Sequence, residues 1–272
     1  NLRMLSAGDG GRGGLNKQLL LNLWVPLPPL KEQNAIANSL LSIDSLISSL
    51  DELIEKKRMI KDGLMQELLT GKKRLKGFSG KGETVKLNEI AEMSSGGTPS
   101  SKEVSFYGGD IPFLSISDMT SSGKYIFRTE KTITKLGLEN SSARVFPPGT
   151  LMYAMYASLG KCSITNIEVA ISQAILGFKL SPRVDKMFLY YHFCYIEESV
   201  KKIGQTGTQS NLSKQIVENF ALELPEIDEQ KAIGRVLSDI DLEISTIESM
   251  RDKYLLIKQG MMQQLLTGKT RL

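Results

Sequence analysis

Two short polar stretches hold the side chains best suited to chemistry. Ser94-Ser95-Gly96-Gly97-Thr98-Pro99-Ser100-Ser101 and Gly204-Gln205-Thr206-Gly207-Thr208-Gln209-Ser210-Asn211 are rich in hydroxyls, amides and glycine, and both are predicted as flexible loops. Backbone N–H groups in such loops can hold phosphates, and Gln, Asn, Ser and Thr can read base edges in a groove; an ordinary surface turn is the other reading. A third polar interruption follows the apolar run Thr150 to Tyr156. The candidate contact set is therefore Thr98, Ser100 and Lys102 in the first loop, Tyr156, Ser158 and Lys161 in the middle, and Gln205, Thr208, Gln209 and Ser210 in the last.

No set of residues points to catalysis. The single histidine, His192, lies in the apolar run Phe188-Leu189-Tyr190-Tyr191-His192-Phe193, which suits a packed helix residue better than a base or a ligand. No cluster has zinc-ligand spacing. Gly160-Lys161 and Gly268-Lys269-Thr270 lack the earlier glycine of a phosphate-binding loop. Acidic residues show no strand–carboxylate–lysine pattern of a nuclease. Pro147-Pro148 follows Phe146, not Asn, so the tetrapeptide of an amino-methyltransferase is missing too. The chain reads as a non-enzyme that needs no metal or cofactor.

The elements that must position these loops are set by a repeat. Gly14 to Gln18, Pro28, Glu32-Gln33 and Leu69 to Leu75 return as Asn211 to Gln215, Pro225, Glu229-Gln230 and Leu266 to Leu272. Gln33 to Gln230 and Gly71 to Gly268 both differ by 197, so no gap interrupts the copies. In the first copy Ile36, Leu40, Ile43, Ile47 and Leu50 alternate steps of four and three, the seam of a helix packing on a helix. Ile233, Leu237, Ile240, Ile244 and Ile247 reproduce it. The seam drifts near Leu53 and Ile54, then resumes through Ile60, Leu64 and Leu68, matched by Ile257, Met261 and Leu265. Helices over 31–69 and 228–266 are expected, each about 55–60 Å long. Gly71 and Gly268, followed by cations, should end them. Such long, thinly apolar helices need a partner, and the natural one is the other copy. An antiparallel pair lets the intervening block leave one helix end and re-enter near the other's start.

Seam residues use only one face of each helix. Ile54, Met59 and Met65 in the first, with Met250, Leu255 and Met262 in the second, are further apolar side chains outside it. They are expected to pack on the adjoining domain or on a partner.

Between the copies, Ile111 to Ile116, Thr150 to Tyr156 and Val169 to Phe178 are strand-like, while Asn88 to Met93 and Lys186 to Tyr195 are predicted as short helices. The expected class is α+β: a mixed α/β block flanked by two long repeat helices in an antiparallel coiled coil. The formal net charge is +4. The central block, with 15 Lys plus Arg against 14 Asp plus Glu, carries only +1 of it, so composition shows no strongly basic nucleic-acid surface. Cys162 and Cys194 provide no disulfide framework, which suits a reducing cytoplasm. No stretch is apolar over a membrane-spanning length, and no signal peptide is visible. The chain begins at Asn1, inside the upstream part of the repeat, and is expected to be part of a longer protein.

In combination these residues resemble the specificity subunits of type I restriction-modification systems. The family's Leu-Pro turn before Glu-Gln is present as Leu27-Pro28-Pro29-Leu30-Lys31-Glu32-Gln33 and Leu224-Pro225-Glu226-Ile227-Asp228-Glu229-Gln230. Its Leu-Leu-Thr-Gly-Lys helix end is Leu68 to Lys72 and Leu265 to Lys269. Its Ser-Gly-Gly-Thr-Pro-Ser is Ser95 to Ser100, its Pro-Gly-Thr-Leu with Gly-Lys is Pro148 to Leu151 with Gly160-Lys161, and its Gln-Ser-Asn-Leu-Ser is Gln209 to Ser213.

The resemblance implies a tail of a preceding target-recognition domain at 1–25, a long helix within 26–76, a target-recognition domain at 77–223 and a second long helix within 224–272. It implies a cytoplasmic subunit that recognises part of a bipartite double-stranded DNA target without entering a membrane. The helices would act as a ruler between half-sites and hold two methyltransferase subunits and the restriction subunits. Those methyltransferase subunits would bind S-adenosylmethionine and flip the adenine, whereas this chain would hold no cofactor. With only one complete recognition domain, the chain would read one half-site unless it forms a self-dimer or is extended. Two rivals stand beside this reading: the recognition portion of a single-chain restriction or modification enzyme, and a coiled-coil scaffold without DNA binding.

Overall fold

The structure, a computed structural model, describes Leu21, residues 25–206 and residues 211–272. Helix α1 (Leu30–Leu68) is followed by β1 (Glu83–Lys86), α2 (Leu87–Ile90) and β2 (Ala91–Ser95). After a 3₁₀ turn at Val104–Phe106 come β3 (Tyr107–Leu114), α3 (Ile116–Ser122), β4 (Tyr125–Ile126), β5 (Lys131–Ile133), α4 (Lys135–Glu139) and β6 (Arg144–Phe146). The order continues with β7 (Leu151–Ala154), β8 (Cys162–Thr165), β9 (Val169–Ile171), β10 (Ile175–Leu180), α5 (Lys186–Thr206), α6 (Lys214–Glu218), β11 (Ala221–Leu224) and α7 (Ile227–Leu265).

The repeat extends to the hydrogen bonds that start and stop the long helices. Gln33 donates its side-chain amide to the Pro28 carbonyl at 2.7 Å, and Gln230 does the same to Pro225 at 2.8 Å. At the other ends, Gly71 (φ +68°) and Gly268 (φ +71°) adopt the left-handed conformation that glycine reaches without strain. Behind them Lys73 N–H reaches the Glu67 carbonyl and Thr270 N–H the Gln264 carbonyl, both at 3.1 Å, which satisfies orphan carbonyls of the last turn.

By backbone proximity the chain divides into two compact units, Lys57–Glu243 and the remainder, and each long helix contributes to both. Within the second of these units, Asp44 pairs with Lys258 and Asp51 with Arg251, so ascending residues on α1 meet descending residues on α7. Within Lys57–Glu243 the same sense holds, Lys57 meeting Glu243 at 2.5 Å and Lys61 meeting Asp241 at 2.6 Å. The helices are antiparallel, as the repeat implies.

In the unit Lys57–Glu243, a five-stranded sheet ordered β2-β10-β7-β8-β4 lies beside a four-stranded one ordered β5-β3-β9-β6. Alternation along β7 splits its side chains between two cores. Leu151 and Tyr153 join a cluster with Phe178 of β10 and Phe188 and Phe193 of α5, which also takes in Met65, Leu68 and Leu69 of α1 and Ile233 and Leu237 of α7. The Phe193 ring lies 4.6 Å from that of Tyr153 and 5.3 Å from that of Phe178. Met152 and Ala154 face the opposite way, into a cluster with Leu114 of β3, Val169 and Ile171 of β9 and Ile175 of β10. The strand β1 pairs antiparallel with β11, Glu83 opposite Leu224, immediately before α7. No helix among the described residues is long and apolar enough to cross a membrane.

Several expectations are corrected. The helix expected over Asn88 to Met93 stops at Ile90; Ala91 to Met93 are the start of β2, where Leu180 and Phe178 pair with them. The single strand expected over Val169 to Phe178 is two, β9 and β10, placed in different sheets by a turn at Ser172-Gln173-Ala174. The helix from Lys186 runs on to Thr206, so Gly204, Gln205 and Thr206 are helical, not loop. Neighbouring turns satisfy the backbone there, and one glycine near a helix end costs only about 1 kcal/mol. Ile60 and its copy Ile257, both expected in the seam, are exposed.

Candidate functional site

The first and middle polar segments singled out from sequence meet at one end of the five-stranded sheet. Ser95, at the end of β2, pairs with Leu176 near the start of β10, and Ile175 pairs with Ala154 at the end of β7. Three strand ends therefore present their connecting loops side by side. Gly96 N–H donates to Ser172 carbonyl at 3.2 Å, and the Thr98 hydroxyl donates to the Gln173 side-chain oxygen at 2.8 Å, joining the first loop to the β9–β10 turn. Met155 N–H donates to Ala174 carbonyl at 2.9 Å, and Leu212 N–H to Met155 carbonyl at 2.9 Å, which brings Leu212 to the same place.

The first loop is shaped by close backbone approach. A Cβ on Gly96 would stand 1.8 Å from the Ile171 carbonyl oxygen, and one on Gly97 would stand 2.7 Å from Ser142 Cβ, so neither position accepts a side chain. Pro99 is buried, and its carbonyl accepts the Tyr107 hydroxyl at 2.7 Å. Thr98, Ser100 and Lys102 are consequently held outward and exposed.

The middle turn is tight. Ala154 N–H donates to Lys161 carbonyl at 2.8 Å and Gly160 N–H to Ala154 carbonyl at 3.1 Å. Ala157 sits at φ +56°, a left-handed conformation uncommon for a residue with a Cβ, costing about 1–2 kcal/mol. Ser158 shares a 3.3 Å hydroxyl contact with Thr120 of α3. Tyr156, Ser158 and Lys161 are half-buried. Of the last group, Gln205 is on α5, while Thr208, Gln209 and Ser210 lie outside the described residues.

Two residues at this end were not singled out from sequence, Gln173 and Thr120. Gln173 had a legible signal, since Ser172-Gln173 is a polar pair interrupting an apolar run, which marks a turn. Thr120 had none; its place follows from how α3 packs.

At the base of the unit Lys57–Glu243, a charged junction ties α5 and the sheet to the long helices. Lys124 donates to the Tyr191 hydroxyl at 2.7 Å, Tyr191 donates to Asp241 at 2.5 Å, and Lys61 reaches the same carboxylate at 2.6 Å. Burial alone would raise the Asp241 carboxyl, but bonds from Lys61 and Tyr191 and the two lysine charges outweigh it and hold it below the ordinary range. Burial draws the Lys124 ammonium down, against the pull of Asp241. His192 is buried in α5 with neither ring nitrogen hydrogen-bonded, and desolvation pushes it down to about 4. These groups brace the scaffold. Among the described residues no group of His, Cys, Asp and Glu could hold a metal ion.

The apolar residues proposed to lie outside the seam divide. Ile54 and Met65 are buried within the protein and are withdrawn as partner contacts; Met65 belongs to the main core beside Leu69 and Leu222. Met59, Met250, Leu255 and Met262 are exposed. Repeat partners follow one another on the outer faces: Leu53 matches Met250, Met59 matches Leu256 and Ile60 matches Ile257, all six exposed.

The repeat breaks in one respect. Met65 and Leu69 are 8% and 1% exposed, whereas their counterparts Met262 and Leu266 are 41% and 48%. Leu222 and Leu224 are buried under β1, whereas their counterparts Val25 and Leu27 are exposed. Val25, Leu27, Ile36, Leu40 and Leu266 line an open apolar groove of about 510 Å³.

Residues 80–255 match the family described as "Type I restriction modification DNA specificity domain". The chain is 29% identical over 272 residues to the putative type I restriction enzyme MjaX specificity subunit of Methanocaldococcus jannaschii, covering 96% of this chain and 62% of that protein. It is 28% identical to the type I restriction enzyme MjaVIII specificity subunit of the same organism, over 94% of this chain and 64% of the relative. The crystal structure of the HsdS subunit from Thermoanaerobacter tengcongensis shares the fold, with a TM-score of 0.62 at 18% identity over 98% of this chain and 66% of that one. The chain thus spans somewhat less than two thirds of these relatives' lengths.

Proposed function

The chain belongs to the type I restriction modification DNA specificity family, and on that premise we propose that it reads part of a bipartite double-stranded DNA target and places methyltransferase and restriction subunits on it. The observation that carries this reading is the convergence of the polar loops at one end of the five-stranded sheet, through the Gly96–Ser172, Thr98–Gln173 and Met155–Leu212 bonds. Thr98, Gln173, Ser158 and Lys161 then offer hydroxyl, amide and ammonium groups on rigid strand ends, the types that pair with base edges and phosphates. Lys161 and Lys102 make phosphate contacts, and Gln173 and Thr98 face bases. The near-neutral charge of the block leaves much of the phosphate clamp to the larger subunits. Such a subunit works in the cytoplasm, with the DNA and the partners.

In this reading residues 77–223 are the recognition domain, and the long helices in 26–76 and 224–272 set the distance to the other half-site. Residues 1–25 are the tail of a preceding recognition domain. The open groove lined by Val25, Leu27 and Leu266 is the seat of a second such domain, because the matching residues in the other copy are covered by the first. That second domain is either carried by the same polypeptide or supplied by another copy, giving a self-dimer. The exposed, repeat-related residues Met59, Leu256, Ile60 and Ile257 hold methyltransferase subunits, one to each half.

The test is an exchange of residues 84–210 for the matching block of a relative, followed by sequencing of the adenines methylated by the assembled complex. One half of the methylated sequence should change while the spacer length stays. A spacer that follows the exchanged block, or a target that does not change, overturns the assignment.

A further inference from the structure

The only two cysteines of the chain, 32 residues apart in sequence, meet. Cys162 Sγ, the first residue of β8, lies 3.9 Å from Cys194 Sγ on α5. Closing a disulfide from there requires an approach to about 2.05 Å, a shift of the size that side-chain rotation and small helix movement supply. We propose that Cys162 and Cys194 are an oxidisable dithiol, closed by hydroperoxides into an intramolecular disulfide that clamps α5 to the strand carrying the middle turn.

The two sulfurs are suited to different parts. Cys162 is buried, while Cys194 is only partly buried and is the more accessible of the two to a small oxidant. Hydrogen bonding from Cys162 holds the Cys194 thiol below its ordinary range; burial opposes this, and Tyr190 and the Lys61 charge add to the lowering. Burial keeps Cys162 well above its ordinary range, as the protonated donor of the pair. The Cys194 thiolate attacks the outer oxygen of the hydroperoxide; the O–O bond breaks, the alcohol leaves with a proton, and Cys194 becomes a sulfenic acid. Cys162 sulfur then attacks the sulfenic sulfur, the S–O bond breaks, and water departs with the Cys162 proton. Two thiols are oxidised by two electrons, and the peroxide is reduced to alcohol and water.

Lys161 is bonded directly to Cys162, and its carbonyl and that of Ser158 order the turn. Drawing Cys162 toward α5 therefore moves the reading end, a consequence that rests on the function proposed above. The chemistry itself does not.

Hydrogen peroxide is applied to the purified chain, reduced beforehand and then freed of reductant. Intact mass should fall by two hydrogens, peptide mapping without reductant should show Cys162 joined to Cys194, and dithiothreitol should restore both thiols. Cys162→Ser should trap a sulfenic acid on Cys194 that a cyclic dione captures; Cys194→Ser should leave Cys162 unmodified. Both thiols still free at peroxide levels that oxidise exposed methionines, or chains joined to each other instead, overturn the proposal. DNA binding is read separately: a several-fold loss on oxidation in the parent, absent in Cys194→Ser, supports coupling to the turn. Unchanged binding by the fully closed form overturns that coupling, and failure to bind DNA in either redox state counts against the DNA reading while leaving the mass result to decide the disulfide.

Discussion

Arg271 lies 2.7 Å from Glu32, and this contact is the copy, 197 residues removed, of the one Arg74 makes with Glu229. In both, the segment just past one long helix returns to the first turn of the other. Their surroundings differ. The Glu229 and Arg74 side chains are 1% and 21% exposed, while those of Glu32 and Arg271 are 11% and 60%. The same two residues are therefore a structural tie in one copy and an open contact in the other.

Arg74→Ala should strand the buried Glu229 carboxylate and cost about 3–5 kcal/mol of unfolding free energy. Arg271→Ala should cost less, about 1 kcal/mol, because the Arg271 side chain is exposed and the Glu32 carboxylate keeps some access to water. Denaturant titrations of the two variants measure the contrast, and equal losses would contradict the difference in burial.

Met65→Asp and Met262→Asp should separate for the same reason. A charge at buried Met65 should lower the melting temperature sharply. At exposed Met262, one helical turn from the groove residue Leu266, it should leave melting almost unchanged but weaken docking of a second recognition domain in the groove, read by sedimentation of the chain with and without that domain. Undiminished association of Met262→Asp removes the groove from the proposal.

Stability should fall between about pH 6.5 and 4 because of His192. Its folded-state value, about 4, is below the unfolded value of about 6.5. The unfolded chain thus takes up the proton first as pH falls, and stability is complete above pH 6.5 and drains away toward pH 4, by on the order of 3 kcal/mol. His192→Leu should flatten that part of the curve. A parent whose unfolding midpoint in urea is level across this range would refute the effect.

At the loop end, phosphate and base contacts should give different signatures. Lys161→Ala should weaken binding about equally on all sequences and reduce the salt slope by about 1. Gln173→Ala should relax preference at one base pair by about 1–3 kcal/mol. Titrations over a salt series with single-base variants of the target distinguish them; two identical profiles would mean that the two side chains do not divide these roles.

The proposed methyltransferase seats can be probed on each helix. Met59→Asp and Leu256→Asp each change an exposed residue, so folding should be unaffected and each should release one subunit, measured by the mass of the complex. Retention of both subunits would shift the seats elsewhere.

The long helices were legible because the information that makes them is local. A seam from Ile36 to Leu50, prolines ahead and glycines behind define a helix within its own residues, and the observed bounds, Leu30–Leu68 and Ile227–Leu265, differ from the expected ones by one residue. The antiparallel order followed from the repeat and the block between its copies. The loops after β2 and β7 were legible as chemistry, since glycines, hydroxyls and amides declare a loop wherever it lies. Their meeting was not legible. It depends on β10 pairing with both β2 and β7, contacts across dozens of residues, and a one-residue slip in register would carry every side chain to the other face. Gln173 became a candidate only when a run expected to form one strand was divided between two sheets. Burial was likewise a tertiary decision: Met65 and Met262 are the same residue in the same repeat, and only the domain packed against one of them makes it core.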